Sequence, residues 1–482
     1  MIAVDRSRLP VPGAGHSLRF PEASRRTLDN GLSVRTVEHR GVPVVSFVLL
    51  LRSGAAAEPF DRPGLAALTA DMLDEGCPGR SAIEIEEALA SMGAQLETEV
   101  GADATVLSLL ALPRFAEPAL ALLSDIVARP SLAAGDFDRV RELRLNRIRQ
   151  LRSLAPAVAD LALARVLYPA HPYGRLPIGT AEGLAATGPT EVSDFHRQIW
   201  RPSQVTIVAV GDATHDELFG AVGRTFGVWR GGEAGPAPTV RLSPDVTTLA
   251  APSHPASPMV VVDRPGAAQS ELRIGQVAVP RLTPDYAALL VLNMILGGQF
   301  VSRLNMNLRE DKGFTYGVRS GFEFRRAAGP FVVQTAVQTR VTADAVREVL
   351  AEVRAITGPR PATAAELETA KAALTRGYPR SFETAGQIAR GLAQLSLYEL
   401  PDDTLEQFVP LIHQVDLDAV AAAATRLDPS RMTVAIVGDG EMIGPGLREL
   451  GLGEPVAVTV ESQPAEPLAA PVDGAAPADR TR

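Results

Sequence analysis

The feature that most limits how this chain can fold is a sequence that occurs twice, once in each half. Residues 201–212 read RPSQVTIVAVGD and residues 428–439 read DPSRMTVAIVGD, with six of the twelve positions identical. A second match lies earlier in each half, where Ala, Leu, Met and Gly at 66, 68, 72 and 76 recur at 288, 290, 294 and 298. The offsets are 227 and 222 residues, and the order of the two matches is the same. This spacing predicts an internal duplication of whole domains, because solenoid repeats span only about 20 to 50 residues.

A Gly- and Pro-rich segment at residues 231–239 (GGEAGPAPT) predicts a linker between the two units. We therefore expect an N-terminal extension at 1–26, one domain at 27–230 and a second domain at 240–459. Residues 460–482 are rich in Ala, Pro, Asp and Gly, a composition typical of a disordered tail.

Within each unit, β-prone and helical patterns follow one another without a strict alternation. Residues 32–37, 44–51 and 104–112 read as strands, and residues 65–74 and 83–92 read as helices. Ser81-x-x-Glu84 and Thr363-x-x-Glu366 are capping boxes that mark helix starts. The predicted fold class is α+β, with two homologous α/β-sandwich domains, each an antiparallel sheet with helices packed on it.

Composition and charge exclude several classes of function. The net charge is −9 and no long Lys/Arg run is present, so nucleic acid and anionic membranes are not expected partners. No apolar run is long enough to span a bilayer. The single cysteine, Cys77, excludes an internal disulfide framework and a multi-cysteine zinc site. Residues 1–26 lack the apolar core of a signal peptide, so a cytoplasmic location is expected.

Several motifs place the chain near a known family. The first half contains HPYG at 171–174, IGT at 178–180, FH at 195–196 and RPSQVTIVAVGD. The second half contains LGGQFVSRLNMNLREDKGFTYGV at 296–318. Together, over about residues 27–458, these motifs resemble the pitrilysin/insulinase-type zinc peptidases, a family that includes mitochondrial processing peptidase. The resemblance implies two domains per subunit and dimers that enclose an unfolded peptide substrate.

The family's catalytic motif is H-x-x-E-H on a helix, in which two histidines on one helical face bind zinc and the glutamate activates the metal-bound water. The matching segment here is GLAALTADMLDEG at 64–76. The histidine, glutamate and histidine positions hold Ala67, Ala70 and Asp71, and the downstream ligand falls near Arg147. Alanine cannot bind zinc and arginine repels it, so we expect no metal and no cofactor in this chain. We further expect an ion pair between Asp71 and Arg147 where the metal would lie.

No alternative zinc motif is present. The seven histidines include no pair close enough in sequence to share a helical face. His171 and His196 are therefore interpreted as hydrogen-bonded structural residues, although a metal site assembled from distant residues remains an open alternative. The arginines of residues 139–152 are interpreted as a solvated helical face, and an attraction for acidic substrates is the second reading.

The second half keeps residues to which the resemblance gives a role. In the family's C-terminal domain, an arginine and a tyrosine seven residues apart reach into the zinc site, and Arg309 and Tyr316 have that spacing. Such a pair can grip a substrate carbonyl and stabilise the oxyanion formed on water attack. The other reading makes Arg309 a surface ion-pair residue and Tyr316 a packed aromatic. Gly297 and Gly298 are read as a helix C-cap, and the resemblance adds a role near the substrate path.

Three hypotheses follow. In the first, the chain is a non-catalytic subunit that pairs with a zinc-bearing relative and donates Arg309 and Tyr316 to its active site. The peptide would be held by strand addition to a sheet edge. In the second, the chain is a structural or scaffolding homodimer with no catalytic contribution. In the third, it is an autonomous peptidase with a metal site that the sequence does not reveal.

Overall fold

The computed structural model describes residues 20–231, 240–250, 252 and 258–459. Residues 1–19 of the expected extension, residues 232–239 of the expected linker and residues 460–482 of the expected tail lie outside the described residues. The first strand begins at Ala23, so ordered structure starts before the predicted domain boundary at residue 27. Within the described ranges, no helix combines the length and apolar character needed to cross a membrane.

Over its described residues, the first half contains eight strands and eight α-helices. Its strands are β1 Ala23–Thr27, β2 Ser33–Glu38, β3 Val45–Leu51, β4 Gly76–Cys77, β5 Arg80–Ser81, β6 Gln95–Val100, β7 Thr105–Ala111 and β8 Val205–Gly211. Its helices are α1 Leu65–Asp71, α2 Ala82–Met92, α3 Ala116–Ala128, α4 Ala134–Ser153, α5 Ala155–Leu167, α6 Ala181–Ala185, α7 Pro189–Ile199 and α8 His215–Phe226.

The second half repeats this pattern of sheet and helices. Its strands are β9 Met259–Asp263, β10 Gln269–Val277, β11 Val318–Phe322, β12 Pro330–Gln338, β13 Thr433–Gly438 and β14 Val456–Ala457. Its helices are α9 Tyr286–Leu296, α10 Arg303–Asn305, α11 Thr342–Thr357, α12 Ala364–Arg376, α13 Ala385–Leu397, α14 Thr404–Gln414, α15 Leu417–Ala424 and α16 Gly440–Arg448. Both predicted capping boxes form, before α2 and before α12.

The two main sheets share the topology of five strands, which confirms the predicted fold class. Their sixth strands differ: β1 precedes β2 and is antiparallel to it, whereas β14 follows β13 in the chain and is parallel to β9. The strand order is β1-β2-β8-β3-β7-β6 in the first sheet and β14-β9-β13-β10-β12-β11 in the second, read from the corresponding edge. The strands that carry the repeated sequence, β8 and β13, therefore occupy equivalent central positions. Helices α1 and α9 also correspond, because each follows the strand (β3 or β10) that pairs with the repeat strand.

The sheets differ from the prediction in strand direction. Most neighbours are antiparallel, as expected, but β2 runs parallel to β8, and β9 runs parallel to both β13 and β14. Strands β8 and β13 return to the sheet after long helical segments, and such crossovers allow a parallel pair where a hairpin would not. Both sheets are thus mixed.

The halves are joined by two exchanged helices. Helix α5 of the first half packs on the second sheet, where Leu163 lies in one apolar cluster with Ala435 and Val437. Helix α13 of the second half packs on the first sheet, where Leu392 lies in a cluster with Val208. Because these sheets are covered on both faces, strands such as β3 and β8 are buried along their whole length.

Candidate functional site

Helix α1 carries the segment predicted to correspond to the zinc-binding motif, and the Glu58 side chain holds its first turn. Gly64, at the N-cap, has a φ of 103°, which glycine adopts without strain. The buried Glu58 carboxylate accepts hydrogen bonds from the backbone N–H groups of Gly64 and Ala66, each at 3.0 Å. Burial raises the pKa of Glu58 to about 7. Ala67 and Ala70, at the first histidine and glutamate positions, are both buried methyl groups.

Asp71, at the second histidine position, is held by an arginine of helix α4. Arg144 donates from Nε to the Asp71 carboxylate at 2.9 Å and from a terminal nitrogen to the Ala67 carbonyl at 3.2 Å. The predicted partner, Arg147, was wrong: it lies three residues further along α4, on an exposed part of the helix. Partial burial raises the pKa of the Asp71 carboxyl, and the Arg144 cation acts in the opposite direction.

These residues do not fit a zinc ion. The three motif positions supply two methyl groups and one carboxylate that is already paired with a guanidinium, whereas zinc needs at least three neutral or anionic ligands. Over the part of the chain that the structure describes, no cluster of three or more His, Cys, Asp or Glu side chains is arranged to hold a metal ion.

The Arg–Tyr pair lies on a second surface, an open cavity of about 1180 Å³ along the end of the second sheet. Arg309 belongs to a π-helical turn, Met306–Asp311, a distortion that often marks functional positions. Its guanidinium carbon lies 4.9 Å from the ring centre of Tyr316 and 4.5 Å from that of Phe300. Tyr316 is 89% exposed, which overturns the alternative of a packed aromatic. Arg309 also forms an ion pair with Glu310 at 3.2 Å.

The loop between the two residues is shaped by a glycine and by a buried amide. Gly313 has a φ of 63°, which creates the turn that brings Tyr316 back toward Arg309. The Asn305 side chain donates to the carbonyl of Val318 at 2.8 Å and accepts from its N–H at 3.1 Å. This two-point contact fixes the start of β11, two residues beyond Tyr316.

Gly297 and Gly298 end helix α9 and line the same cavity. The backbone N–H groups of both donate to the Asn293 carbonyl, at 2.9 and 2.7 Å, so the interpretation as a helix end is confirmed. Position 297 requires glycine because there is no room for a side chain: an added Cβ would lie 2.4 Å from the Ser320 hydroxyl oxygen. The predicted role of the two glycines in holding substrate stays a prediction.

The remaining candidates are structural. Several arginines of α4 are paired on its surface: Arg141 bonds to Asp138 and Arg149 to Glu142, both at 2.9 Å. His171 Nδ1 accepts from the Tyr173 N–H at 3.1 Å. His196 Nε2 lies 2.9 Å from the Val127 carbonyl oxygen, within hydrogen-bonding distance. Burial lowers the pKa of each histidine to about 4, which keeps both rings neutral.

Sequence reasoning missed three contributors to these sites: Phe300, Asn305 and Arg144. Phe300 and Asn305 fall inside the motif at 296–318, but a motif does not tell which side chains face Arg309. Arg144 was one of six arginines spread along α4, and nothing in their spacing singles it out.

Two family models match consecutive parts of this chain. Residues 34–180 match the insulinase family, peptidase family M16, and residues 188–374 match the peptidase M16 inactive domain. The boundary between the matches lies inside the first structural half, before α7. The first match contains the segment of α1, and the second contains the Arg–Tyr pair.

Individual relatives agree with this result. An uncharacterized zinc protease of Mycobacterium leprae is 28% identical over 424 residues, which cover 86% of this chain and 91% of that protein. The beta subunit of the mitochondrial-processing peptidase of Bos taurus is 24% identical over 214 residues, 44% of each chain.

Solved structures show the same architecture. A peptidase M16 inactive domain from Pseudomonas fluorescens has a TM-score of 0.78 at 26% identity, covering 87% of this chain and 98% of that one. A protease from Helicobacter pylori has a TM-score of 0.79 at 18% identity and covers 87% of this chain and all of that one, which shows the shared fold.

Proposed function

Because this chain belongs to the M16 peptidase family, the insulinase or pitrilysin family, we propose that it is a non-catalytic subunit of a heteromeric zinc metallopeptidase. It pairs with a zinc-bearing relative and donates Arg309 and Tyr316 to the active site of that partner. The substrate is an unfolded peptide.

One observation carries the proposal: the two sets of family residues have opposite fates in this chain. The three motif positions on α1 hold Ala67, Ala70 and Asp71, and Arg144 pairs with Asp71, the one acidic side chain at those positions. The Arg–Tyr pair, by contrast, stands on a concave surface with Tyr316 almost fully exposed. An exposed aromatic ring beside an arginine gains little from folding, so its place is better explained by a ligand or partner.

The pair supplies hydrogen-bond donors where negative charge develops during hydrolysis. Within the described residues, neither terminal nitrogen of Arg309 nor the Tyr316 hydroxyl has a hydrogen-bond partner, so all are available to a substrate carbonyl. Donors fixed in advance around a developing oxyanion lower the barrier because they need no reorganisation during the reaction. The water-activating metal belongs to the partner.

Strand addition gives the peptide a second anchor. Strand β11 borders the Arg–Tyr cavity, but its outer edge is already engaged, since Asn305 bonds to Val318 and the Ser320 N–H donates to the Gly297 carbonyl at 3.1 Å. The other candidate for strand addition is β6, which is an edge strand of the first sheet and lies beside α1. We assign the peptide to β6, which pairs on one side with β7 and has no second strand neighbour among the described residues, so extended backbone can pair with its outer edge.

The alternative that we keep is a scaffolding homodimer without a catalytic contribution. Under either hypothesis the isolated chain would be inactive, so its activity alone does not distinguish a donating subunit from a scaffold. The test is to purify the chain from its native cell and ask whether a zinc-containing H-x-x-E-H relative co-purifies. The reconstituted pair should cleave an unfolded peptide that neither protein cleaves at a comparable rate alone.

Two results would contradict the proposal. Two observations made together would support the scaffold. The chain would be recovered as a homodimer without a zinc-containing relative, and adding the chain to a separately purified relative would leave the turnover of that relative unchanged. Peptide cleavage by the isolated chain, abolished by a chelator and restored by zinc, would support an autonomous peptidase instead.

A further inference from the structure

We infer that Phe300 is a positioning residue for Arg309. Its ring and that of Tyr316 hold the guanidinium so that its terminal N–H groups face the substrate. The inference rests on the proposed function, because it takes Arg309 to be the group that grips a substrate carbonyl.

The guanidinium is contacted by two aromatic rings from different segments. The Arg309 guanidinium carbon is 4.5 Å from the Phe300 ring centre and 4.9 Å from that of Tyr316, both within cation–π range. Phe300 is 55% exposed, so burial in the core does not account for where its ring lies. The contact with the Arg309 guanidinium explains the position of the ring instead.

The remaining contacts of Arg309 leave the useful donors free. Its Nε lies 3.2 Å from the Glu310 carboxylate, which restrains rotation of the guanidinium about the chain. A guanidinium stacked on aromatic faces directs its N–H bonds outward in its own plane. Within the residues that the structure describes, no acceptor bonds to the two terminal nitrogens. The cation is therefore restrained by the two rings and by Nε, and its terminal donors remain free of partners among the described residues in a side chain that lines the cavity.

One buried side chain ties together the backbone segments that carry the two rings. Asn305 donates to the Gln299 carbonyl at 3.2 Å, immediately before Phe300, and bonds to both backbone groups of Val318, two residues after Tyr316. The Gln299 carbonyl also accepts from the Ser302 N–H at 3.2 Å. Both aromatic segments are thus bonded to a single amide, which limits how far their backbones can move apart.

The test compares Phe300→Leu, which keeps an apolar side chain but removes the aromatic ring, with Phe300→Tyr, which keeps the ring. In the reconstituted pair with the zinc-bearing relative, Phe300→Leu should lower kcat by roughly 5- to 30-fold, the range expected for one cation–π contact in a desolvated site. KM should change little, and the Phe300→Tyr variant should retain most of the kcat of the natural protein. Val301→Ala, an exposed apolar change at the next residue, is the matched control and should leave both constants unchanged.

A second measurement needs no activity. In the isolated chain, the Nε–H resonance of Arg309, identified by its loss in Arg309→Lys, should be shifted upfield by the ring currents. It should move downfield in Phe300→Leu and stay in place in Phe300→Tyr. An unmoved resonance in Phe300→Leu would show that the ring does not contact the guanidinium in solution and would overturn the inference.

The two failures are distinguishable. If Arg309→Ala lowers turnover but Phe300→Leu does not, the positioning role of Phe300 is wrong and the proposed function stands. If neither change affects turnover of the assembled pair, the proposed function fails and the inference fails with it, whatever the resonance shows.

Discussion

Arg144 donates a hydrogen bond at 2.9 Å to Asp71 and thereby links helices α4 and α1 at the segment that we predict to correspond to the H-x-x-E-H motif. The Arg144 side chain is only 10% exposed and that of Asp71 is 42% exposed. We expect a double-mutant cycle with Asp71→Ala and Arg144→Ala to give a coupling free energy of about 1 kcal/mol, more than the few tenths typical of exposed pairs. The exposed pair Arg347–Asp344 serves as the control and should give less. Equal coupling in both cycles would mean that the pair contributes no more than a surface contact.

The isolated chain should retain no stoichiometric zinc. Ala67, Ala70 and the paired Asp71 supply no ligand set, so metal analysis after dialysis against a weak chelator should find well below one zinc per chain. Added zinc should also leave the melting temperature unchanged, because a ligand stabilises only a protein that binds it. One zinc per chain that survives dialysis would show that distant residues assemble a site.

Acid should destabilise the protein through His171. This side chain is 6% exposed, its Nδ1 accepts a backbone hydrogen bond, and burial together with Arg325 and Arg175 lowers its pKa from 6.5 to about 4. The folded pKa lies below the unfolded value, so the unfolded chain binds more protons between these pH values. The stabilisation is therefore complete above pH ~6.5 and is lost as the pH falls toward 4.

His171→Asn keeps an acceptor suited to the cap but removes the titration. Between pH 6.5 and pH 4, the free energy of unfolding of the natural protein should fall by about 3 kcal/mol relative to this variant. His413→Asn, an exposed change, is the control and should follow the natural protein. Parallel curves for His171→Asn and the natural protein would mean that the histidine titrates alike in both states.

Gly297 should not tolerate a side chain. An added Cβ would lie 2.4 Å from the Ser320 hydroxyl oxygen and 3.0 Å from a Leu304 methyl group, so α9 or β11 would have to move. We expect Gly297→Ala to lower the free energy of unfolding by about 1 to 3 kcal/mol, the usual effect of overpacking. Gly321→Ala, next to Ser320 in β11 but with open space at its Cβ, should have a smaller effect. Similar losses in the two variants would argue against the close approach at Gly297.

The fold could be predicted from sequence because the duplication left a local record. The repeated Pro-Ser and Gly-Asp ends of β8 and β13 frame apolar runs that only a buried strand accommodates, and the structure places both at equivalent positions. What the sequence could not show is that α5 and α13 each cover the sheet of the other half. An amphipathic pattern identifies the apolar face of a helix, but not the surface that buries it.

The candidate site, like the fold, was predictable from sequence only in part. Spacing within a motif placed Arg309 and Tyr316 seven residues apart, and the structure brings their side chains together on an exposed cavity. The pairing of Asp71 depends on how α4 is rotated against α1, and one helical turn separates the correct Arg144 from the expected Arg147. Rotation about a helix axis is set by packing, so it is not written in the spacing of six similar arginines.

Turnover of the assembled pair should depend on a single hydroxyl of this subunit. Tyr316→Phe removes only that oxygen from a side chain that is 89% exposed, so folding and subunit pairing should be unaffected. Loss of one oxyanion donor should lower kcat by roughly 100-fold or more. Arg309→Ala should act in the same direction, whereas Arg347→Ala, an exposed arginine on α11 outside the cavity, should not. Steady-state peptide hydrolysis by the reconstituted complex, with assembly checked by size-exclusion chromatography, is the measurement. Unchanged turnover in both Tyr316→Phe and Arg309→Ala would leave the exposed pair without a catalytic role and would favour the scaffolding homodimer.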